Sequence, residues 1–381
     1  MDFVVEPSRD TPVLAKVDVA VAGAGPAGFA AAVAAARNGA DVLLIEQANF
    51  VGGLMAAMPI LGFCGYHGRQ LVFGIGQELV ERLMALGASP GHIPDPRLGS
   101  VTVTDLEVLK QVTQAMVEEA GARLLFHTFV SGPVMDGARV AGLFLENKSG
   151  RQAVLAKAVV DATGDADVAA GAGAPFEIKD RDSIQPGTLM FKMTHVNVDK
   201  VRLALAENPE DAHMVSGFGS GPDYYLRVKR FGLDGFGSAV QRARENGDLP
   251  PDYPQRWTIF FTLPREDEVV VNMAMVTGIH SSDALDLTRA EIEGRRRIPV
   301  VVNFLRKYIP GFSQAQLVSS HCTVGSRESR RIVGDYVLTA EDIMAARRFE
   351  DGISVAPWRP SHGHHPKGQF VDDPRGERYP H

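Results

Sequence analysis

The sequence predicts an α/β protein: a parallel sheet with flanking helices and an antiparallel β-meander, interrupted by an inserted α+β domain. Three observations lead there. A β-α-β unit runs from Val17 to Glu46 and carries Gly23-x-Gly25-x-x-Gly28 at its first turn. Strand-like arms between about 132 and 160 run straight into Asp161-Ala162-Thr163-Gly164-Asp165. From about Pro175 the sequence becomes richer in aromatic residues and methionine, which marks a second domain.

Val17 to Ala22 is a short apolar run ending at glycines, as expected of a strand buried on both faces. Pro26 suits the first turn of an alanine-rich helix that Gly39 stops. Val42 to Ile45 is the second strand. Phe50 to Gly68 and Gly91 to Gly99 read as loops, and Ile75, Leu79, Leu83 and Leu86 recur at helical spacing between them. Asp105 caps a helix whose core stripe is Leu109, Val112 and Met116. After Gly121, Arg123 to Phe129 reads as a strand. In the meander, Pro133 shortens the first arm, Asp136-Gly137 turns it, and Val140 to Glu146 and Ala153 to Val160 follow. In the second domain Leu189–Val196, Trp257–Leu263 and Val269–Val276 read as strands, and Asp199–Glu207 and Gly237–Asn246 as helices. Thr339 to Asp342 has capping-box spacing, opening a helix to Phe349. The expected division is 17–175 plus 320–381 for the nucleotide-binding domain and 176–319 for the inserted one.

The composition excludes several classes. The chain has 381 residues, with 39 basic and 46 acidic side chains and a formal net charge of −7. That balance argues against a reader of nucleic-acid backbone. Two cysteines, Cys64 and Cys322, are too few for a disulfide framework, a four-thiolate cluster or a structural zinc site. Both are read as small buried residues. Val17 to Ala36 is apolar enough to suggest a membrane span, but Asp18 and the Gly-Ala-Gly-Pro-Ala-Gly break interrupt it. No basic n-region precedes an apolar core at the N-terminus. These features read as a soluble, cytoplasmic protein with no metal centre.

In the Gly23–Gly28 motif, the first glycine permits a tight turn. The second admits a pyrophosphate close to the backbone, and the third lets helix and sheet pack. Glu46 ends the next strand, 18 residues past Gly28. A carboxylate there accepts hydrogen bonds from ribose hydroxyls and repels a 2′-phosphate. A simple nicotinamide dehydrogenase would place another β-α-β unit after the first. A meander ending in a tight polar turn points instead to a flavoprotein sheet.

On these residues the chain resembles the FAD-dependent oxidoreductases of the glutathione-reductase-like fold, near fumarate reductase-type flavoproteins and the flavin subunit of heterodisulfide reductase. The matching stretches are Val17–Glu46, Val51-Gly52-Gly53, Leu71–Gly87, Asp161–Gly173, and Gly325–Ile332 with Gly334-Asp335-Tyr336. The resemblance implies a Rossmann-like FAD-binding domain with an inserted substrate domain. It implies FAD held by Gly23, Gly25, Pro26, Ala27, Gly28, Glu46 and Gln47 at the ADP half, with Gly52 and Gly53 beside the pyrophosphate or ribityl chain. Val130 would offer backbone to the adenine, and Ala162, Thr163, Gly164 and Asp165 would lie along the ADP moiety. The Gly62–His67 loop would lie near the flavin ring, making His67 a candidate proton donor; His321 is another.

Arg330 and Arg331 have two readings that both stay open. They could stabilise negative charge on flavin or substrate, or belong to a salt-bridged interdomain strand centred on Glu328. The implied partner is a small-molecule substrate, with a second copy of the chain or an electron-acceptor protein as further possibilities. Two other functions stay open: a flavin-binding or assembly module without turnover, and a tRNA-modifying flavoprotein. In the resembling family the chain continues past this point into a further strand and a flavin-facing helix. Here five prolines stand among glycines and histidines from Pro357 to Pro380, and the expectation is a shortened member with part of its flavin site missing. His362, His364 and His365 in this tail are read as solvated.

Overall fold

The computed structural model describes residues 3–62, 65–66, 69–70, 73–95, 99–212, 224–251, 253–339, 341–342 and 345–352. The chain divides into two compact units, Met1–Gly53 with Thr113–Phe176, and Leu54–Val112 with Glu177–His381.

The first unit is built on one sheet. Its strands are β1 (Val13–Ala22), β2 (Val42–Ile45), β3 (Arg123–Leu125), β4 (Phe129–Asp136), β5 (Arg139–Asn147) and β6 (Gly150–Asp161), in the order β3-β2-β1-β6-β5-β4. The pairs β3/β2, β2/β1 and β1/β6 are parallel. The pairs β6/β5 and β5/β4 are antiparallel and form the meander. Between β1 and β2 lies α1 (Pro26–Arg37), with Pro26 at its start. The core gathers Val17, Ala20, Ala22, Leu43, Ile45, Leu143, Leu145, Val154, Ala156 and Val168. Burial of each large aliphatic side chain contributes about 1.5–3 kcal/mol.

The meander's first arm is longer than the sequence suggests, because β4 begins at Phe129 and runs through Pro133. A proline is tolerated there because β4 is the sheet's edge strand. A helix, α2 (Leu106–Glu119), spans the boundary between the units, and Leu109, Val112 and Met116 are buried as the periodicity requires. A short helix, α3 (Asp167–Gly171), follows β6.

The second unit contains an antiparallel sheet of five strands, in the order Gly232–Gly235, Thr258–Thr262, Val269–Val271, Phe191–Thr194 and Gln316–Ser320. One face packs on a large apolar core with helices Val198–Glu207, Gly237–Glu245 and Ala284–Tyr308. The last helix, 25 residues long, is invisible to the sequence reading. It begins at Asp283, whose side chain accepts from the Leu285 and Asp286 N–H groups. Pro299 removes a helical hydrogen bond from its interior, but Ile298, Val301, Val302, Phe304 and Leu305 are buried around it and hold the helix.

Segments read as loops also hold strands. Ile60–Gly62 and His92–Asp95 each pair with Gly99–Val103 in a separate three-stranded sheet. Its Ile93, Val101 and Val103 join Met190, Ile259, Phe261, Leu263 and Val270 in one apolar cluster. That packing groups 54–112 with the second unit, whereas the sequence reading groups them with the nucleotide-binding domain. The described residues beyond 320 also fall in the second unit, where Gly325 exchanges two backbone hydrogen bonds with Thr188. The tail 353–381, with its histidines and the expected shortened ending, lies outside the described residues.

Candidate dinucleotide site

The carboxyl ends of β2, β1 and β6 lie side by side: Ala22 is opposite Ile45 on one side and Asp161 on the other. The chain leaves β1 at a point where its two neighbours diverge in connection, which is where open α/β sheets bind ligands. Gly23 turns the chain with φ +93°, and its N–H donates to the Ile45 carbonyl at 2.8 Å. A Cβ at Gly23 would lie 2.6 Å from the Ala162 oxygen, and one at Gly28 would lie 1.8 Å from the Gly23 oxygen. Both glycines are therefore required by packing within the protein.

Gly25 differs. A Cβ there would meet nothing within 4 Å. It precedes α1, whose first turn carries no acidic residue and whose Pro26 and Ala27 are exposed. Helix N–H groups unsatisfied within the helix thus face an open mouth, an arrangement that attracts phosphate oxygens. Gly52 and Gly53 close the other side. The Gly52 N–H donates to the Ala24 carbonyl at 2.8 Å, and a Cβ at Gly53 would lie 2.8 Å from the Gly25 Cα. Thr113 anchors this loop through its hydroxyl to the Val51 carbonyl at 3.1 Å.

Glu46 is 8% exposed. Its carboxylate accepts the Ala24 N–H at 2.7 Å and the Ala48 N–H at 2.8 Å, so it ties the glycine turn to the end of β2. Each oxygen keeps a lone pair for a further donor such as a ribose hydroxyl. The Glu46 carbonyl accepts from the Thr128 N–H, two residues before Val130 in β4. Gln47 is exposed beside it.

The turn after β6 forms the facing wall. Asp161 Oδ1 accepts from the Thr163 N–H at 3.2 Å and the Thr163 hydroxyl at 2.7 Å, while Oδ2 accepts from the Ala169 N–H at 2.9 Å. Thr163 Oγ1 in turn accepts from the Asp167 N–H at 3.0 Å. Gly164 has φ +88° and is exposed, and Asp165 is partly buried next to it. Gly23, Gly25, Gly28, Glu46, Gly52, Gly53 and Ala162–Asp165 are thus brought together within one unit. The sequence reading placed Asp161 in the motif but gave it no role. Its signal is a carboxylate ending a strand two residues before a threonine.

The other candidates fall elsewhere. Arg330 and Arg331 belong to the second unit, partly buried and exposed respectively. Glu328 pairs with Lys179 at 2.7 Å, and Arg327 donates to the Gln185 side-chain oxygen at 3.0 Å. His67 and Cys64 lie outside the described residues. Cys322, read as buried, is exposed. His321 is buried, its Nε2 has no hydrogen-bond partner among the described residues, and burial pushes its pKa down to about 4. It is therefore neutral at pH 7 and poorly suited to donating a proton there. Among the described residues, no group of three His, Cys, Asp or Glu side chains could hold a metal ion. Among them too, no helix is long and apolar enough to cross a membrane.

An open mouth at a helix start, a carboxylate at the end of the next strand and a meander-borne wall fit the ADP half of FAD, and define a flavoprotein-type dinucleotide fold. The family described as FAD dependent oxidoreductase matches residues 18–380, and the chain belongs to that family. FAD is accordingly its cofactor. The digeranylgeranylglycerophospholipid reductase of Methanocella arvoryzae is 26% identical over 197 residues, 48% of this chain and 47% of that protein. The tRNA uridine 5-carboxymethylaminomethyl modification enzyme of Dichelobacter nodosus is 32% identical over 148 residues, 34% of this chain and 22% of that protein. The chain thus spans less than half the length of these relatives. A geranylgeranyl bacteriochlorophyll reductase-like protein from Thermoplasma acidophilum has 18% identity and a TM-score of 0.48, covering 81% of this chain and 66% of that one.

Proposed function

We propose that the protein catalyses hydride transfer between a small organic substrate and FAD. The chemistry FAD supplies when bound is two-electron oxidation and reduction at its ring; the chain supplies orientation and electrostatics. In this reading the α1 N-terminus and the Gly25 backbone hold the diphosphate, and Glu46 holds the ribose. Val130 and Ala162–Asp165 line the rest of the ADP half. The second unit selects the substrate, and Arg330 and Arg331 offer positive charge to an anionic group there. The observation that carries the reading is Gly25, open on its Cβ side, at the start of a helix whose two neighbouring glycines are locked by packing. The test is anaerobic mixing of the flavin-loaded protein with a panel of organic donors and acceptors. Bleaching or reoxidation of the flavin by any of them supports turnover; a flavin that only a chemical reductant bleaches, and that no organic acceptor reoxidises, points to a binding module instead.

A further inference from the structure

We propose that Asp161 is a positioning residue of the dinucleotide site, holding the Ala162–Thr163 wall against the glycine turn before any ligand arrives. The proposal rests on the dinucleotide reading above. Three donors converge on this one carboxylate: the Thr163 N–H, the Thr163 hydroxyl and the Ala169 N–H, at 3.2, 2.7 and 2.9 Å. No cation pairs with it among the described residues. Its charge is therefore spread over local donors whose positions it fixes.

The wall it fixes leaves little slack. The Ala162 N–H donates to the Ala22 carbonyl at 2.9 Å, which extends the β1/β6 ladder to the turn. The ideal Cβ positions of Gly23 and Gly28 lie 2.6 Å from the Ala162 oxygen and 3.2 Å from the Ala162 Cβ. A shift of the 162–163 backbone therefore either strikes the glycine turn or opens a gap beside it. On the far side, Asp161 and Thr163 together satisfy the Ala169 and Asp167 N–H groups of α3's first turn. One carboxylate thus sets the distance from the dinucleotide turn to the helix behind it.

The substitutions separate the bonds. Asp161→Ala removes all three. Asp161→Asn keeps an acceptor for Thr163 but turns an N–H toward the Ala169 N–H. Thr163→Val removes the hydroxyl links alone. ADP and FAD dissociation constants are measured on the full chain, stripped of bound nucleotide, at a temperature below each variant's unfolding transition. For Asp161→Ala the expected result is an equal loss for ADP and FAD, about tenfold or more, as for lost hydrogen bonds to a charged group. Asp161→Asn and Thr163→Val should fall between it and wild type. A purely structural role would lower the unfolding temperature and leave both constants unchanged in the folded variants, which would overturn the proposal. So would loss of FAD binding with ADP binding intact. If Asp161→Ala does not fold, the other two variants decide by the same criteria. A wild-type chain that binds neither ADP nor FAD would overturn the dinucleotide reading itself, a separate outcome.

Discussion

The Glu46 carboxylate satisfies the Ala24 and Ala48 N–H groups, and in the proposed reading its remaining lone pairs accept from the ribose. Glu46→Ala should weaken FAD binding by about 1.5–3 kcal/mol, the range for hydrogen bonds to a charged group. Flavin fluorescence titration checks this, and an unchanged constant removes the ribose role. His321 makes a second residue-scale prediction. Its folded pKa of about 4 lies below the ordinary value of 6.5, so the unfolded chain binds the extra proton more readily. Stability from keeping this ring neutral is complete above about pH 6.5 and is lost as pH falls toward about 4, by about 3 kcal/mol in all. Denaturant melts across that window should show His321→Gln with a shallower acid dependence than wild type; equal slopes would contradict it. At this scale the place of Glu46 beside the glycine turn was legible because strand-end position and residue type suffice. Asp161 was not, because its partners include Ala169, eight residues on, and only the folded turn reveals them.

The glycine turn makes the sharpest element-scale prediction, because its glycines serve different ends. Gly28→Ala puts a Cβ 1.8 Å from the Gly23 oxygen and should cost about 1–3 kcal/mol of stability, the range for overpacking. Gly25→Ala meets nothing within 4 Å and has φ −64°, so stability should stay within about 0.5 kcal/mol while FAD affinity falls. Thermal melts paired with flavin titration check both; a stable Gly28→Ala or a Gly25→Ala with wild-type flavin affinity would contradict them. The β-α-β unit and meander were readable because their signals are local: apolar runs, turn glycines and a helix-starting proline. Other elements were hidden by competing signals. Arginines and Pro299 mask helix Ala284–Tyr308, while the short strands Ile60–Gly62 and His92–Asp95 sit among glycines and prolines and are fixed only by pairing with Gly99–Val103.

For the whole molecule, the proposed reading puts the cofactor half-site within one unit and leaves the choice of substrate to the other. The first is dictated by backbone geometry that glycine spacing betrays; the second depends on side chains from distant segments, which carry no comparable pattern. Two cysteines cannot supply a four-thiolate cluster, so purified chain should contain no stoichiometric iron or acid-labile sulfide; their presence by chemical assay would contradict this. The central claim is that FAD occupies the Gly23–Gly28 turn. The most direct measurement releases the bound small molecule by heat and identifies it by chromatography, with a FAD and NAD titration of the stripped chain beside it. The account predicts FAD in the extract and tight FAD binding that Gly25→Ala weakens. Nicotinamide nucleotide alone in the extract, with no FAD binding on titration, would contradict it.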